Sequence, residues 1–262
     1  MKVPHQPLNP YTQKNQFVLF YQPKVNLNSK EVIGAEALIR WQHPERGLLP
    51  PSEFLPLIDG DKLDFEIGDW VIKSAIEQFQ LWQSQGLKVP VSVNISGQHL
   101  LKPDFVDSLQ EAISRTTLSD SHCLEIEVLE TTALDDVEKV ASVMRECINF
   151  GVNFSLDDFG TGYSTLALLQ QLPANTLKID RSFVRDILTD QNDLEIVKGI
   201  INLAQSFKRL VVAEGIESDA HGELLKSLGC ELGQGYGIAK PMPADALPGW
   251  IKRWDQVNGK HQ

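Results

Sequence analysis

The chain has 262 residues, 42% of them hydrophobic, enough to bury a substantial core in one α/β barrel domain. Lys and Arg number 24 against 35 Asp and Glu, and the formal net charge of −11 excludes a surface that tracks the phosphates of long nucleic acid. Cys123, Cys147 and Cys230 are odd in number and too far apart for a zinc site, and no apolar run reaches the roughly 18 residues that span a bilayer, so the chain reads as cytoplasmic.

Residues 1–14, rich in Pro, Asn and Gln and without the apolar stretch of a signal peptide, read as a leader or linker stub ahead of a domain over residues 15–258. Strand-like runs follow at Phe17–Pro23 and Val32–Trp41. Only Lys24–Glu31 separates them, with turn residues Asn26, Asn28 and Ser29, whereas a parallel crossover needs about a dozen residues. The pair is therefore expected as an antiparallel hairpin. From there helices and strands alternate. A helical pattern over Asp64–Gln85 precedes a strand at Val89–Ser96, and one over Asp104–Arg115 precedes Leu124–Glu130. Helix Asp136–Phe150 leads to strand Asn153–Phe159, and helix Thr165–Leu172 to strand Thr176–Asp180. Helix Asp193–Phe207 leads to strand Leu210–Ile216, helix Ala220–Leu228 to strand Glu231–Ile238, and a last helix covers Asp245–Val257. Eight strands in this alternation predict an α/β fold of the (β/α)8 TIM-like class with an antiparallel first strand.

Six of these strands end on polar residues: Glu36, Asn94, Glu127, the pair Asp157 and Asp158, Lys178, and Glu214. In such a barrel the loops after the strands form the active face, so strand-end residues converge there. Strand alternation puts Glu36, Leu38 and Arg40 on one face, as it does Glu125 with Glu127 and Lys178 with Asp180. By the same rule Glu130 and Asp158 have the opposite parity to Glu127 and Asp157, which places them at the strand exits. The acids and Asn94 are all oxygen donors, the kind that Mg²⁺ or Mn²⁺ prefers. Two such ions about 3.5–4 Å apart clamp an in-line phosphoryl displacement.

Each element also has a plainer reading. Asp157-Asp158 before Phe-Gly can be a turn or helix cap, Glu127 with Glu130 a charged loop, Lys178 a snorkelling surface residue and Asn94 a loop-backbone partner. Gly233, Gly235 and Gly237 around Gln234 resemble part of a phosphate-binding glycine loop without its full fingerprint. The plain readings leave unexplained why so many acids occupy the same place in successive strands.

The strings YQPKVNL, GAEALIRWQHPERGLLPPSEFLPL, VSVNIS, LEIEVLETTAL, FSLDDFGTGYSTL, LKIDRSFV, VVAEGIE and QGYGIAKPMP, in this order, resemble the EAL-domain family, whose signature triplet is Glu36-Ala37-Leu38 here. The resemblance implies a metal-dependent phosphodiesterase that opens cyclic di-GMP to linear pGpG, a bacterial second-messenger hydrolase. It implies two Mg²⁺ or Mn²⁺ ions, and Ca²⁺, with its longer bonds and looser geometry, is expected to inhibit. Glu36, Asn94, Glu127 and Asp157 would hold one ion, and Asp157 would bridge to a second held by Asp158 and Glu214. Lys178 would contact the attacking water, Glu214 is a candidate general base, and Glu130 would fix the loop Asp158–Ser164. Gln22, Leu38, Arg40, Glu217, Gln234 and Pro241 match substrate-side positions. A homodimer and coupling to a fused sensory domain are further implications. Two positions depart from the family pattern: Leu129 stands in place of the usual Thr, and Glu231 in place of the usual Asp.

Overall fold

A computed structural model of the chain describes residues 16–58, 62–114, 123–133, 136–161 and 166–259. The expected leader lies outside them, as do residues 162–165 of the loop after Asp158. Among the described residues ten strands form one sheet: β1 (Phe17–Asn26), β2 (Val32–His43), β3 (Gly47–Leu49), β4 (Val91–Asn94), β5 (Leu124–Leu129), β6 (Asn153–Phe159), β7 (Thr176–Ile179), β8 (Leu210–Ala213), β9 (Leu232–Gly233) and β10 (Met242–Pro243).

Eight of them close the barrel. β1 pairs with β2 at one side and with β9 at the other, antiparallel in both cases, while β2, β4, β5, β6, β7, β8 and β9 run parallel in sequence. The hairpin expected from the short Lys24–Glu31 connection is present, turned by Asn26, whose side chain accepts from the backbone N–H groups of Asn28 and Ser29. β3 extends the far end of β2 and β10 pairs with β1 outside the ring.

The strands alternate between two environments. Ala35, Ala37, Val91, Val93, Leu124, Ile126, Val128, Phe154, Leu156, Leu177 and Ile179 are buried among the hydrophobic residues between sheet and helices. Their neighbours Lys24, Glu36, Ser92, Glu127, Ser155, Asp157, Thr176 and Lys178 are also buried, but inside the ring. The main apolar core is thus the sheet–helix layer, and the barrel interior is polar. Helix Lys62–Ser84 contributes Ile67, Val71, Ile72, Ala75, Ile76, Phe79 and Trp82 at the spacing of one helical face. Helix Gln191–Ser206 contributes Val197, Ile200, Ile201 and Ala204, and is capped by Asp190, which accepts from the N–H groups of Asn192 and Asp193.

Several expected boundaries change. The last barrel strand covers Leu232–Gly233 rather than Glu231–Ile238, and β8 stops at Ala213, so Glu214 lies on the exit loop. Glu130, expected as a strand end, begins a short helix, Glu130–Ala133. The glycines after β9 serve close packing rather than a phosphate cradle. A Cβ on Gly235 would lie 2.2 Å from the Ile216 backbone, and one on Gly237 would lie 2.4 Å from that of Glu217.

Candidate metal centre

The strand ends bring Glu36, Glu127, Asp157, Asp158, Glu214, Lys178 and Gln234 together at the parallel strands' C-terminal mouth. Lys178 is the hub. Its Nζ lies 2.5 Å from Glu127, 2.7 Å from Glu214, 3.0 Å from Asp157 and 3.7 Å from Glu36. Gln234 Nε2 donates to Glu36 Oε2 at 2.6 Å and to Glu214 Oε1 at 3.0 Å, tying β2 to the β8 exit. Asn94 Nδ2 donates to the other Glu36 oxygen at 2.7 Å.

Asp158 reaches the mouth by a device that strand alternation does not encode. The β6–β7 register shifts between Leu156 and Phe159, and Asp158 has φ of 53°, a left-handed conformation uncommon outside glycine. Its N–H donates to Asp157 Oδ1 at 3.0 Å. The bulge turns consecutive aspartates towards one site. Glu130, buried, accepts from the N–H of Gly160 at 2.9 Å and so anchors the start of the following loop.

The electrostatics follow from this crowding. Burial, then Glu127, push the Glu36 carboxyl up to about 7, and burial with Asp157 pushes Asp158 up to about 6. Burial raises Asp157, and raises Glu214 well above the carboxylate range. Glu127 goes the other way. Burial works to raise it, yet Lys178 and Lys24 together hold it down to about 2. For Lys178 burial works to lower the ammonium, and the surrounding carboxylates outweigh it and raise it well above the usual lysine range.

Two groups of acids present oxygens within 4.8 Å of one another: Glu36, Glu127 and Asp157, and Asp157, Asp158 and Glu214. Asp157 belongs to both. The donors are all carboxylate oxygens gathered around one shared aspartate, so the residues fit hard divalent cations.

The substrate-side positions are more dispersed. Gln22 is buried and donates to the Ala239 carbonyl at 2.9 Å. Arg40, higher on β2 than the partly buried Leu38, donates to the Ile39 carbonyl and lies 5.8 Å from the centre of the Phe20 ring. Pro241 is partly buried, and Glu217 is exposed beyond the β8 exit. The sequence reading had not placed two further residues at the site. Asp180, which caps helix Arg181–Arg185, stands beside Asp158 and helps to raise its carboxyl, and its shared parity with Lys178 is the available signal. Lys24, beneath Glu127, carried none, because a lysine in a strand reads as exposed.

A mixed, mostly parallel eight-stranded barrel whose mouth carries a buried acidic cluster that could hold cations is the class defined by this geometry. The EAL domain family model matches residues 6–241, and the chain belongs to the EAL-domain family. It is similar to the bifunctional diguanylate cyclase/cyclic di-GMP phosphodiesterase MucR of Pseudomonas aeruginosa, 41% identical over 236 residues, covering 90% of this chain and 34% of MucR. It is also similar to the cyclic di-GMP phosphodiesterase PdeR of Escherichia coli, 36% identical, covering 92% of this chain and 36% of PdeR. A solved structure described as the PaMucR phosphodiesterase in complex with c-di-GMP superposes with a TM-score of 0.85 at 42% identity, covering 89% of this chain and 95% of that one. The chain thus spans about a third of the length of these curated relatives. Among the described residues no helix is long and apolar enough to cross a membrane.

Proposed function

We propose that this chain hydrolyses cyclic di-GMP to linear pGpG with two divalent cations, Mg²⁺ or Mn²⁺. The observation that carries this reading is the pair of carboxylate groups sharing Asp157 around Lys178. Five carboxylates against one ammonium leave four formal negative charges at the mouth, which two divalent cations would cancel. The names of PdeR and of the c-di-GMP complex support the substrate.

Glu36, Asn94, Glu127 and Asp157 would hold one ion, and Asp157, Asp158 and Glu214 the other. Such ions lower the pKa of water and stabilise charge on phosphoryl oxygens. In this reading water forms a new bond to phosphorus as the bond to the ribose 3′ oxygen breaks. Lys178 would orient the water, Glu214 would take its proton, and the leaving 3′ oxygen would take up a proton from solvent. Gln22, Leu38, Arg40, Glu217, Gln234 and Pro241 line the substrate side, with the Arg40 fork suited to a phosphate. Glu130 holds the loop that presents Asp158. A homodimer and coupling to a sensory domain belong to the same reading.

Purified chain with cyclic di-GMP and Mn²⁺ or Mg²⁺ should release pGpG. Excess chelator should abolish this, and Ca²⁺ should inhibit because its longer bonds and looser geometry misplace the ligands. Undiminished turnover in chelator, or binding without turnover under any of these cations, would overturn the reading.

A further inference from the structure

Beneath the mouth, the barrel interior holds a second ammonium that the reaction above does not use. Lys24 faces inward from β1 with its side chain 8% exposed. Its Nζ reaches Glu125 Oε1 at 2.8 Å, Ser92 Oγ at 3.0 Å and Glu127 Oε1 at 3.5 Å. The other Glu127 oxygen is held by Lys178 at 2.5 Å. One carboxylate therefore stands between two ammoniums, from β1 below and from β7 at its own level. Their remaining partners differ. Glu125 and Ser92 belong to neither group of cation-fitting acids, whereas Glu36, Asp157 and Glu214, the other acids around Lys178, all do. Lys24 thus has a counter-ion of its own outside the cation-fitting groups. Lys178 is shared among groups that must reorganise when cations and a phosphate enter.

We propose that Lys24 is a positioning residue for Glu127: from beneath, the Lys24–Glu125–Ser92 clamp keeps that carboxylate aimed at the cation site while Lys178 is released to the reacting centre. The inference rests on the metal-dependent reading above. Without the clamp, Lys178 is the one cation left beside Glu127, and both carboxylate oxygens turn to it. That would withdraw a cation ligand and occupy the mouth lysine together.

The test is the double variant Lys24→Met with Glu125→Gln, which removes a neutral pair and leaves no buried charge newly unpaired. Calorimetric titration of the metal-free protein with Mn²⁺ should show affinity weakened about 10–100-fold, the usual effect of losing a partner behind a metal ligand. In turnover kcat should fall while KM for cyclic di-GMP holds. Unchanged or tighter Mn²⁺ binding by the folded double variant would overturn the inference and leave Lys24 as a counter-charge for Glu125. Should that variant not fold, Ser92→Ala decides for the clamp as a whole, since Ser92 touches both Lys24 and Glu127 and its loss keeps both charges: weaker Mn²⁺ binding supports the inference, wild-type binding overturns it. A wild-type chain that binds Mn²⁺ without hydrolysing cyclic di-GMP defeats the proposed function alone. A wild-type chain that binds no Mn²⁺ defeats both.

Discussion

The two faces of the barrel wall are made from the same strands and do opposite work. On β5, Leu124, Ile126 and Val128 face the helices, while Glu125 and Glu127 between them face the interior and reach Lys24 and Lys178. β6 repeats the division, with Phe154 and Leu156 outward and Ser155 and Asp157 inward. The outer face gains stability from apolar area removed from water. The inner face buries like charges that repel one another, a cost that the outer face must offset. A period of two residues therefore separates stability from chemistry within single strands.

This division can be broken by substitution. Glu36→Ala should reduce phosphodiesterase activity below detection with the circular dichroism spectrum retained; loss of the fold would show that inner positions also carry stability. Phe154→Ala should do the reverse, costing about 3–5 kcal/mol in denaturant unfolding while kcat per folded molecule holds. A kcat that falls with little change in stability would erase the distinction. Lys178→Ala should lower kcat about 10²–10³-fold, the scale for losing one placed charge or donor at a reacting centre. It should also lower the melting temperature of the metal-free protein, with Mn²⁺ restoring more of it than in wild type, because four partners of Lys178 are left unneutralised. A smaller response to Mn²⁺ would mean that the lysine and the ions do not serve the same carboxylates.

Two subtler variants sharpen the boundary at the strand exits. Glu130→Ala removes the acceptor for Gly160 N–H and should weaken Mn²⁺ binding about 10-fold by loosening the loop that starts at Asp158. Calorimetry on the folded variant checks this, and wild-type affinity would leave Glu130 as a packing residue. The smallest effect is expected from Leu129→Thr. Leu129 is 42% exposed and cannot donate the hydrogen bond that a threonine would. The change should raise activity modestly, most visibly at low protein concentration if dimer contacts steady the same loop. An unchanged rate at every dilution would remove that link.

Much of this was legible from the chain because it depends on period and position. The short Lys24–Glu31 connection dictated an antiparallel start, and polar residues closing successive strands marked the mouth. What escaped depends on relations across the ring. Strand parity turns Asp158 away from Asp157, and only the bulge, with its left-handed residue, returns it. Asp180 and Lys24 acquire their neighbours from β6 in one case and from β4 and β5 in the other, which no local pattern specifies. The last strand was read too long because its apolar and glycine residues continue past Gly233, while the backbone turns against Ile216.

Ring closure also bears on how the chain folds. Gln234 meets Glu36 across 198 residues of sequence, and Gln22 meets Ala239 across 217. Parallel strands can assemble progressively, but the interior is shut off from water only when every junction of the ring is made. On this topology the carboxylates and both lysines are expected to lose water together when the ring closes, a non-local step. Folding should have its highest barrier there, and a divalent cation that meets the open acidic trough could speed the final docking.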